Sequence, residues 1–326
     1  MEIVLQIFLL IVGFAALVKG ADIFVDGSSS LAAIFKVPSV IIGLTIVAMG
    51  TSAPELAVST SAALKGSNEI AFSNVVGSNL FNLLVVLGVC AVIKPVPIEN
   101  AIKKRDYPFS FLVAGLLFAA LSVRIFTNHV DFSTVQMMDD ITVVSRTIGI
   151  CLLVLFTVYL VILVYSAIKH KTQGESIKQM SPFKSMLFIL LGSAMIIIGG
   201  QLVVNAAKII AAACGMSETL IGLTVIALGT SLPELVTSIV ASRKGENGLA
   251  VGNVVGSNIF NMLLILGVSA TVNPIAVNFA SMIDLVIFIA ATVLVYIFAL
   301  TNKIRRFEGV IMLLIYAGVM VFAVLR

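Results

Sequence analysis

The sequence predicts an all-α polytopic membrane protein with ten transmembrane helices in two inverted-topology five-helix repeats. Apolar residues make up 60% of the 326 residues and charged residues only 11%, whereas an ordinary soluble domain has about 45–50% apolar and about 25% charged residues. A long segment of the first half also returns in the second half with most of its polar residues unchanged. The composition excludes a water-soluble fold, and the repeat predicts how the helices are arranged.

Ten long apolar runs, separated by short polar clusters, predict the ten helices. Runs such as Met186 to Ile198 are apolar on every side, as a spanning helix is, whereas the strands of a membrane barrel would alternate apolar and polar residues. The first five runs cover residues 3 to 18, 38 to 64, 70 to 93, 107 to 123 and 147 to 167. The other five cover residues 184 to 212, 218 to 242, 248 to 272, 282 to 300 and 308 to 325.

The repeat has a constant offset, which relates the core motif 42–89 to the core motif 221–268 without a gap and with more than half of the positions identical. Five predicted helices separate corresponding points, and five is odd. The second copy must therefore enter the membrane from the opposite face, as in the inverted repeats of many secondary transporters. We assign residues 1–167 to the first repeat, 168–183 to a short cytoplasmic linker and 184–326 to the second repeat.

The basic residues predict the orientation. When the ends of alternate loops are counted, three quarters of the Lys and Arg residues fall on one side. The basic side should be cytoplasmic, which places both termini outside, extracellular or periplasmic, in the cell (inner or plasma) membrane. The small net charge of +4 does not indicate nucleic acid as a partner, so the expected surroundings are the lipid bilayer.

One segment breaks the repeat. The connection before the fifth helix, around residues 126 to 145, has about 19 residues that its counterpart in the second half lacks. We expect an extramembrane excursion without repeat symmetry. An external patch that attracts cations is a possible role for its acidic residues, although no pattern in the sequence supports it.

Two carboxylates lie deep inside apolar helices, Glu55 and Glu234, at equivalent places in the two repeats. An ionised carboxylate near the bilayer centre costs several kcal/mol, so it must face a cavity, a partner or an ion. The matching apolar runs contain no basic residue that could form a buried salt bridge. These two positions are therefore the first candidates for a functional site.

The residues around each Glu form the pattern Gly-Thr-Ser-x-Pro-Glu. Pro54 and Pro233 cannot donate to the carbonyls one turn earlier, so each helix should break there and expose backbone oxygen. The side chains on the same helix face as each Glu are Ala48, Thr51 and Ser52 in the first copy and Ala227, Thr230 and Ser231 in the second. Hydroxyl, carbonyl and carboxylate oxygens are hard ligands that suit Ca²⁺ or Na⁺. Close helix packing by small residues is the alternative explanation for the Gly, Ser and Thr residues.

The following helix supplies a second stripe of oxygen-bearing side chains, spaced by four residues. It consists of Asn74, Ser78 and Asn82 in the first copy and of Asn253, Ser257 and Asn261 in the second. We expect Ser78, Asn82, Ser257 and Asn261 to face an ion path. Hydrogen bonding between helices is the rival explanation for the stripe, and it applies more strongly to Asn74, Asn79, Asn253 and Asn258.

With these residues in view, the chain resembles the cation/calcium exchanger superfamily, specifically the prokaryotic sodium/calcium exchangers with two α-repeats. The resemblance rests on GTSAPE at 50–55 with GTSLPE at 229–234, and on GSNLFN at 77–82 with GSNIFN at 256–261. It implies that the second, third, seventh and eighth helices enclose cation sites at mid-membrane. It also implies that the first and sixth helices slide across this core, opening it to either side in turn.

The resemblance also implies a role for each motif residue. Glu55 and Glu234 would bridge the bound ions, and Thr51 and Thr230 would help to hold Ca²⁺. The flanking Na⁺ sites would be lined by Ala48, Ser52, Ala227 and Ser231, and the ring would be completed by Ser78, Asn82, Ser257 and Asn261. Asn at both 82 and 261, where some relatives have Asp, argues against a potassium-dependent subtype.

We therefore expect a secondary-active antiporter that exchanges Na⁺ for Ca²⁺ by alternating access around a mid-membrane site with two Glu, and that needs no cofactor. The nearest alternative is an antiporter that exchanges Ca²⁺ or another cation for H⁺, because carboxylates bind protons equally well. A passive cation channel is a further alternative. A membrane-embedded enzyme is disfavoured, because both histidines, His129 and His170, fall outside the apolar runs and no HExxH motif occurs. The sequence leaves the oligomeric state and the Na⁺:Ca²⁺ ratio open.

Overall fold

A computed structural model describes residues 2–66, 68–127, 134–169, 180–215 and 227–326. Most of these residues are helical. Within this part of the chain, eight helices are long and apolar enough to cross a membrane, or nine if a bent pair of helices counts as one span. The predicted all-α membrane protein is thereby confirmed. Residues 218–226 of the predicted seventh helix and 170–179 of the predicted linker lie outside the described residues.

The helices follow one another with short connections. In chain order they are α1 Glu2–Phe35, α2 Ser39–Thr51, α3 Ala53–Leu64, α4 Ile70–Ile93, α5 Ile102–Thr127, α6 Arg146–Lys169, α7 Pro182–Ala213, α8 Leu232–Arg243, α9 Asn247–Val272, α10 Phe279–Ala299 and α11 Arg306–Leu325. A short helical turn, Ala227–Gly229, precedes α8. The strands are β1 Val96–Pro97, β2 Asp140–Val144, β3 Ile275–Asn278 and β4 Lys303–Ile304.

The first helix is much longer than the predicted run of residues 3 to 18, because it continues through Lys19, Asp22 and Asp26 to Phe35. These charges do not end the helix. Lys19 pairs with Asp22 at 3.2 Å, one turn along the same helix, and both acidic residues also bind a lysine at the end of α8. Charged side chains with such partners can stay helical where an apolar run stops.

Two compact units divide the chain. The first consists of Met1–Pro54 and Tyr165–Ser257, and the second of Glu55–Val164 and Asn258–Arg326. The divisions fall inside the two motifs, between Pro54 and Glu55 and between Ser257 and Asn258. Each unit therefore contains parts of both sequence repeats, and the assignment of one domain to each repeat stays a prediction.

In the first unit, α1 packs along α7 through glycines whose positions match in the repeat. Gly13 lies against the backbone of Gly199, and Gly20 lies against the backbone of Gly192. At each of these glycines an added β-carbon would come within about 3 Å of the facing backbone. Gly13 and Gly192 are equivalent positions of the two repeats, as are Gly20 and Gly199, so the two contacts are reciprocal. Reciprocal contacts of this kind are typical of a two-fold relation.

In the second unit, the same kind of contact occurs twice. In α4, Gly88 faces the backbone of Gly309 in α11, and in α9, Gly267 faces the backbone of Gly149 in α6. Gly88 and Gly267 are equivalent positions of the two core motifs. Gly149 and Gly309 are also equivalent, but they lie closer together in the sequence, because only the first repeat has the extra residues around 126 to 145 before its fifth helix. The corresponding helices of the two sequence repeats thus make corresponding contacts.

The unmatched segment around residues 126 to 145 contains a strand. Its residues 128–133 lie outside the described residues, but β2 pairs antiparallel with β3, directly before α10. The amide groups of Phe279 and Ala280 donate to the carbonyls of Asp139 and Met137 at 3.1 and 2.9 Å. The segment therefore covers the beginning of α10, where the free amide groups of a helix need acceptors.

Candidate functional site

The helix break predicted from Pro54 lies at Ser52. Its backbone has φ −84° and ψ 8°, and α2 and α3 meet there at an angle of 50°. Ser231, the equivalent residue before α8, has nearly the same conformation, with φ −93° and ψ 7°. These angles lie in the sparsely populated region between helix and extended chain. Each motif therefore places a Glu in the first turn of the helix that follows the break.

Glu234 has a fully buried carboxylate whose two oxygens differ. Its Oε1 accepts hydrogen bonds from the Ser52 hydroxyl at 2.8 Å and from the Ser257 hydroxyl at 3.4 Å. Its Oε2 is buried and has no hydrogen-bond partner among the described residues. A buried carboxylate oxygen without a donor is costly, so this atom indicates a place for a proton or a cation.

Asn253 in α9 holds the helix that bears Glu234. Its Nδ2 donates to the backbone carbonyl of Glu234 at 3.4 Å and to the Ser238 hydroxyl at 3.0 Å. Its Oδ1 accepts from the Thr51 hydroxyl at 2.9 Å. The Asn253 side chain thus connects α9 with α8 and with the end of α2, and it binds the backbone at Glu234 directly.

In the second unit, Asn74 does the same for Glu55. Glu55 is fully buried, and Asn74 Nδ2 donates to its carbonyl at 3.4 Å and to the Ser59 hydroxyl at 2.8 Å. Asn74, Glu55 and Ser59 are the repeat equivalents of Asn253, Glu234 and Ser238, all at the same offset. The hydrogen bonds that position the two carboxyl-bearing helices are therefore repeated along with the sequence.

A second pair of amides joins α4 to α9 in the same unit. Asn79 Nδ2 donates to the carbonyl of Asn258 at 3.3 Å, and Asn258 Nδ2 donates to the carbonyl of Asn79, also at 3.3 Å. Asn79 Oδ1 accepts from Asn261 Nδ2 at 3.0 Å. Interhelical bonding is thus the observed role of Asn79 and Asn258, as it is for Asn74 and Asn253.

Asn82 and Asn261 lie in π-helical turns, Phe81–Val86 and Asn261–Ile265, that occupy matching positions in α4 and α9. Both side chains are fully buried. Neither polar atom of the Asn82 side chain has a hydrogen-bond partner among the described residues, and Asn261 Oδ1 has none either. A π-turn inside an α-helix often marks a functional site. The sequence pattern singled out both amides but gave no signal for the change in helical pitch.

The other predicted site residues are also buried for the most part. Thr51, Ala48, Ser52, Ser78, Ser231 and Ser257 are each at most 3% exposed. Thr230 is half-buried, and its hydroxyl has no hydrogen-bond partner among the described residues. The side chain of Ala227 lies outside the described part of the structure.

The described residues include no group of three or more His, Cys, Asp or Glu side chains that could hold a metal ion. A cation beside Glu234 would therefore rely on hydroxyl, amide and carbonyl oxygens in addition to carboxylate oxygen. Such oxygens suit Na⁺ and Ca²⁺ and suit zinc or copper poorly.

Comparison with known families gives a match over most of the chain. The family described as sodium/calcium exchanger protein matches residues 5–165 and 184–325. The chain belongs to the sodium/calcium exchanger family. It is thus a member of a family of membrane transporters, and the predicted resemblance is confirmed.

Individual relatives are similar over nearly their whole length. CaxA of Alkalimonas amylolytica is 38% identical, with 97% of each chain covered. The sodium/calcium exchanger MaX1 of Methanosarcina acetivorans is 32% identical, with 98% of each chain covered. Among solved structures, the sodium-calcium exchanger NCX_Mj soaked with Na⁺ and Sr²⁺ matches with a TM-score of 0.82 at 29% identity, covering 98% of this chain and 99% of its own.

Proposed function

We propose that this chain is a secondary-active antiporter that exchanges Na⁺ for Ca²⁺ by alternating access, and that Glu55 and Glu234 bind the transported cations. The observation that carries the proposal is the environment of Glu234. This carboxylate is fully buried, its Oε1 is held by two serine hydroxyls, and its Oε2 has no donor among the described residues. A cation would satisfy that oxygen.

The repeat extends the proposal to Glu55. The hydrogen bonds that Asn74 makes to the carbonyl of Glu55 and to Ser59 match those of Asn253 in partner, in offset and nearly in length. Two helices that are positioned alike, each with a buried carboxylate in its first turn, support the same role for both. In this proposal the remaining ligands and the lining come from the other motif residues of the two repeats. These are Thr51, Ser52, Ser78, Asn82 and Ala48 in the first copy and Thr230, Ser231, Ser257, Asn261 and Ala227 in the second.

Charge gives a physical reason for exchange. Two ionised carboxylates in an apolar core repel each other and cost several kcal/mol. One Ca²⁺ cancels both charges, and so do two Na⁺. With either load the site is neutral, so it can change its access from one side of the membrane to the other past a low-dielectric barrier. The empty site carries two negative charges, which hinder this change. Because the empty site is hindered, the return step needs a load of the other ion, which couples the movements of Na⁺ and Ca²⁺.

The proposal includes ten spans in two inverted repeats. The reciprocal glycine contacts between α1 and α7 and the reciprocal amide bonds between Asn79 and Asn258 support a two-fold relation between the repeats. A two-fold axis in the membrane plane produces opposite topologies. The excess of basic residues on one side supports a cytoplasmic position for that side, with both termini outside.

Sodium is the proposed counter-ion because MaX1 and NCX_Mj are both named sodium/calcium exchangers. The test is Ca²⁺ uptake into vesicles that contain the purified protein. Vesicles loaded with Na⁺ and diluted into Na⁺-free buffer of equal pH should accumulate Ca²⁺, and a sodium ionophore should abolish this uptake. A pH gradient without Na⁺ should drive none.

Two results would contradict the proposal. Uptake driven by the pH gradient alone would assign the protein to Ca²⁺/H⁺ antiport. Uptake that proceeds equally with and without an ion on the opposite side would assign it to passive conduction. Empty vesicles and vesicles that contain heat-unfolded protein are the controls for leak.

A further inference from the structure

Lys244, the residue directly after α8, is bound to α1 by three oxygen atoms. Its Nζ lies 2.6 Å from Asp22 Oδ1 and 2.5 Å from Asp26 Oδ1, and it donates to the carbonyl of Asp22 at 2.9 Å. Asp22 and Asp26 are one turn apart on α1. The end of the helix that bears Glu234 is thereby fastened to the first helix of the chain.

A stripe on α8 connects this ionic cluster with Glu234. Thr237, Ala241 and Lys244 follow Glu234 at steps of three, four and three residues, so they share one face of the helix. The Thr237 hydroxyl is fully buried and has no hydrogen-bond partner among the described residues. A polar atom without a partner, one turn from the carboxylate, indicates a path that a hydrated cation could use once the stripe is uncovered.

In this structure α1 covers the stripe with apolar side chains. Ala21, Phe24 and Val25 are completely buried and belong to the same hydrophobic cluster as Ala241. The Phe24 ring also lies against Gly50 in α2, where an added β-carbon would come within 3.0 Å of Phe24 Cζ. A cation that moves along α8 to Glu234 therefore needs α1 to move away.

The second repeat lacks the acidic partners. Lys65 is the repeat equivalent of Lys244, but the equivalents of Asp22 and Asp26 are Gln201 and Asn205, which are neutral. In the described part of the chain, Lys65 forms no ion pair. The ionic cluster thus breaks the symmetry of the two repeats and acts at one end of the path only.

We propose that Lys244, Asp22 and Asp26 form an ionic latch that holds α1 over α8 and closes the path to Glu234 from the face at which α8 ends. This inference rests on the proposed transport function. The latch favours the state that is closed on this face. At the equivalent positions of the other repeat, Gln201 and Asn205 carry no charge that could bind Lys65 in the same way. Lys244 is a positioning residue, because it acts on access and not on the bound ion.

The test measures access to the stripe with a cysteine at its centre. Thr237→Cys is introduced into a background that lacks the two exposed cysteines, Cys151 and Cys214. The rate of labelling by a membrane-impermeant thiol reagent is then measured from the face of Lys244, without ion gradients. Lys244→Ala should raise that rate about fivefold, the effect expected from losing two partly exposed ion pairs.

The matched control is Arg243→Ala, which removes the neighbouring charge, and the labelling rate should stay as in the parent. The double substitution Asp22→Asn with Asp26→Asn should act like Lys244→Ala, because it breaks the same pairs from the other helix. Three outcomes would overturn the latch. The labelling rate is the same in the parent and in Lys244→Ala, or it rises as much in Arg243→Ala as in Lys244→Ala, or no background is labelled at all.

A second measurement covers the case that the cysteine variant does not fold. In the otherwise unmodified chain, Lys244→Ala should lower about fivefold the apparent KM for the ion taken up from this face, because the open state becomes more populated. An unchanged or raised KM would overturn the latch. The labelling experiment needs no transport, so its outcome is separate from a failure of the proposed exchange.

Discussion

Asn253 should contribute more to stability than its repeat equivalent, Asn74. The Asn253 side chain makes three hydrogen bonds, to the Glu234 carbonyl, the Ser238 hydroxyl and the Thr51 hydroxyl. The Asn74 side chain makes two, to the Glu55 carbonyl and the Ser59 hydroxyl. Hydrogen bonds between membrane helices are worth about 0.6 kcal/mol on average, so Asn253→Ala should cost about 2 kcal/mol and Asn74→Ala about 1 kcal/mol.

The loss of stability in Asn253→Ala depends on what each of the three hydrogen-bond partners keeps after the amide is removed. Thr51 keeps acceptors in the carbonyls of Val47 and Ala48, at 3.2 and 3.3 Å, so its hydroxyl is not left without a partner. The Glu234 carbonyl loses a donor that lies 3.4 Å away, a long and therefore weak bond. The buried Ser238 hydroxyl also loses its donor, but Ser59 loses the equivalent donor in Asn74→Ala. These losses are common to both variants, so the difference between them comes from the bond to Thr51, about 0.6 kcal/mol.

The assay is unfolding of the purified protein in mixed micelles by increasing fractions of a denaturing detergent, followed by loss of helical circular dichroism. The free energy of unfolding should decrease in the order parent, Asn74→Ala, Asn253→Ala. If Asn74→Ala destabilises the protein as much as or more than Asn253→Ala, the hydrogen-bond assignment around Glu234 is wrong.

Two further predictions concern packing and the carboxylate. Gly309→Leu should lower the free energy of unfolding by about 1–3 kcal/mol in the same assay, because a β-carbon there would lie 2.7 Å from the Gly88 carbonyl oxygen. The control is Gly318→Leu, where an added β-carbon meets nothing within 4 Å. Equal stability of the two variants would refute the contact. Ser52→Ala should weaken Ca²⁺ binding roughly tenfold or more, because the Ser52 hydroxyl holds Glu234 Oε1 at 2.8 Å and so orients the carboxylate with Oε2 left for the cation; hydrogen bonds to charged groups are worth about 1.5–3 kcal/mol. Titration of Ca²⁺ uptake tests this second prediction, with Ser122→Ala in α5 as a control that should leave the affinity unchanged, and an unchanged affinity in Ser52→Ala would contradict it.

Much of the site could be predicted from local pattern. Proline removes a specific backbone donor, so Pro54 predicts a break in the preceding turn, and the break is found at Ser52. A carboxylate in an apolar run predicts a buried functional group, and Glu55 and Glu234 are both fully buried. These properties depend on residues within one or two turns of each other.

Contacts between distant segments could not be predicted in this way. The pairing of β2 with β3 joins residues that lie far apart in the chain, and the β2 segment has no counterpart in the other repeat from which to infer it. Likewise, Lys19, Asp22 and Asp26 end the apolar run near residue 18, but α1 continues to Phe35. Lys19 pairs with Asp22, and both acidic residues pair with Lys244, which lies far away in the sequence. The π-turns at Asn82 and Asn261 left no signal in the spacing of the residues.

The division of the asparagines follows from geometry that the spacing leaves open. Asn74 and Asn82 lie on one stripe of α4, yet Asn74 bonds the neighbouring helix, whereas the Asn82 amide has no partner among the described residues. Spacing by four places both side chains on one face but does not say which element each one meets. Only the positions of α3 and α9 decide that.

The central claim is that the buried carboxylates bind the transported cation, and Ca²⁺ uptake by the Glu234→Gln variant tests it most directly. The amide keeps the shape of the side chain and removes its charge. Sodium-driven uptake of Ca²⁺ into vesicles should fall to the level of empty vesicles for Glu234→Gln and for Glu55→Gln, while both variants remain folded by circular dichroism. The control, Glu99→Gln between β1 and α5, makes the same change of side chain and should keep full uptake, because this exposed residue lies outside the motifs. Retained sodium-driven uptake in both Glu variants would contradict the account.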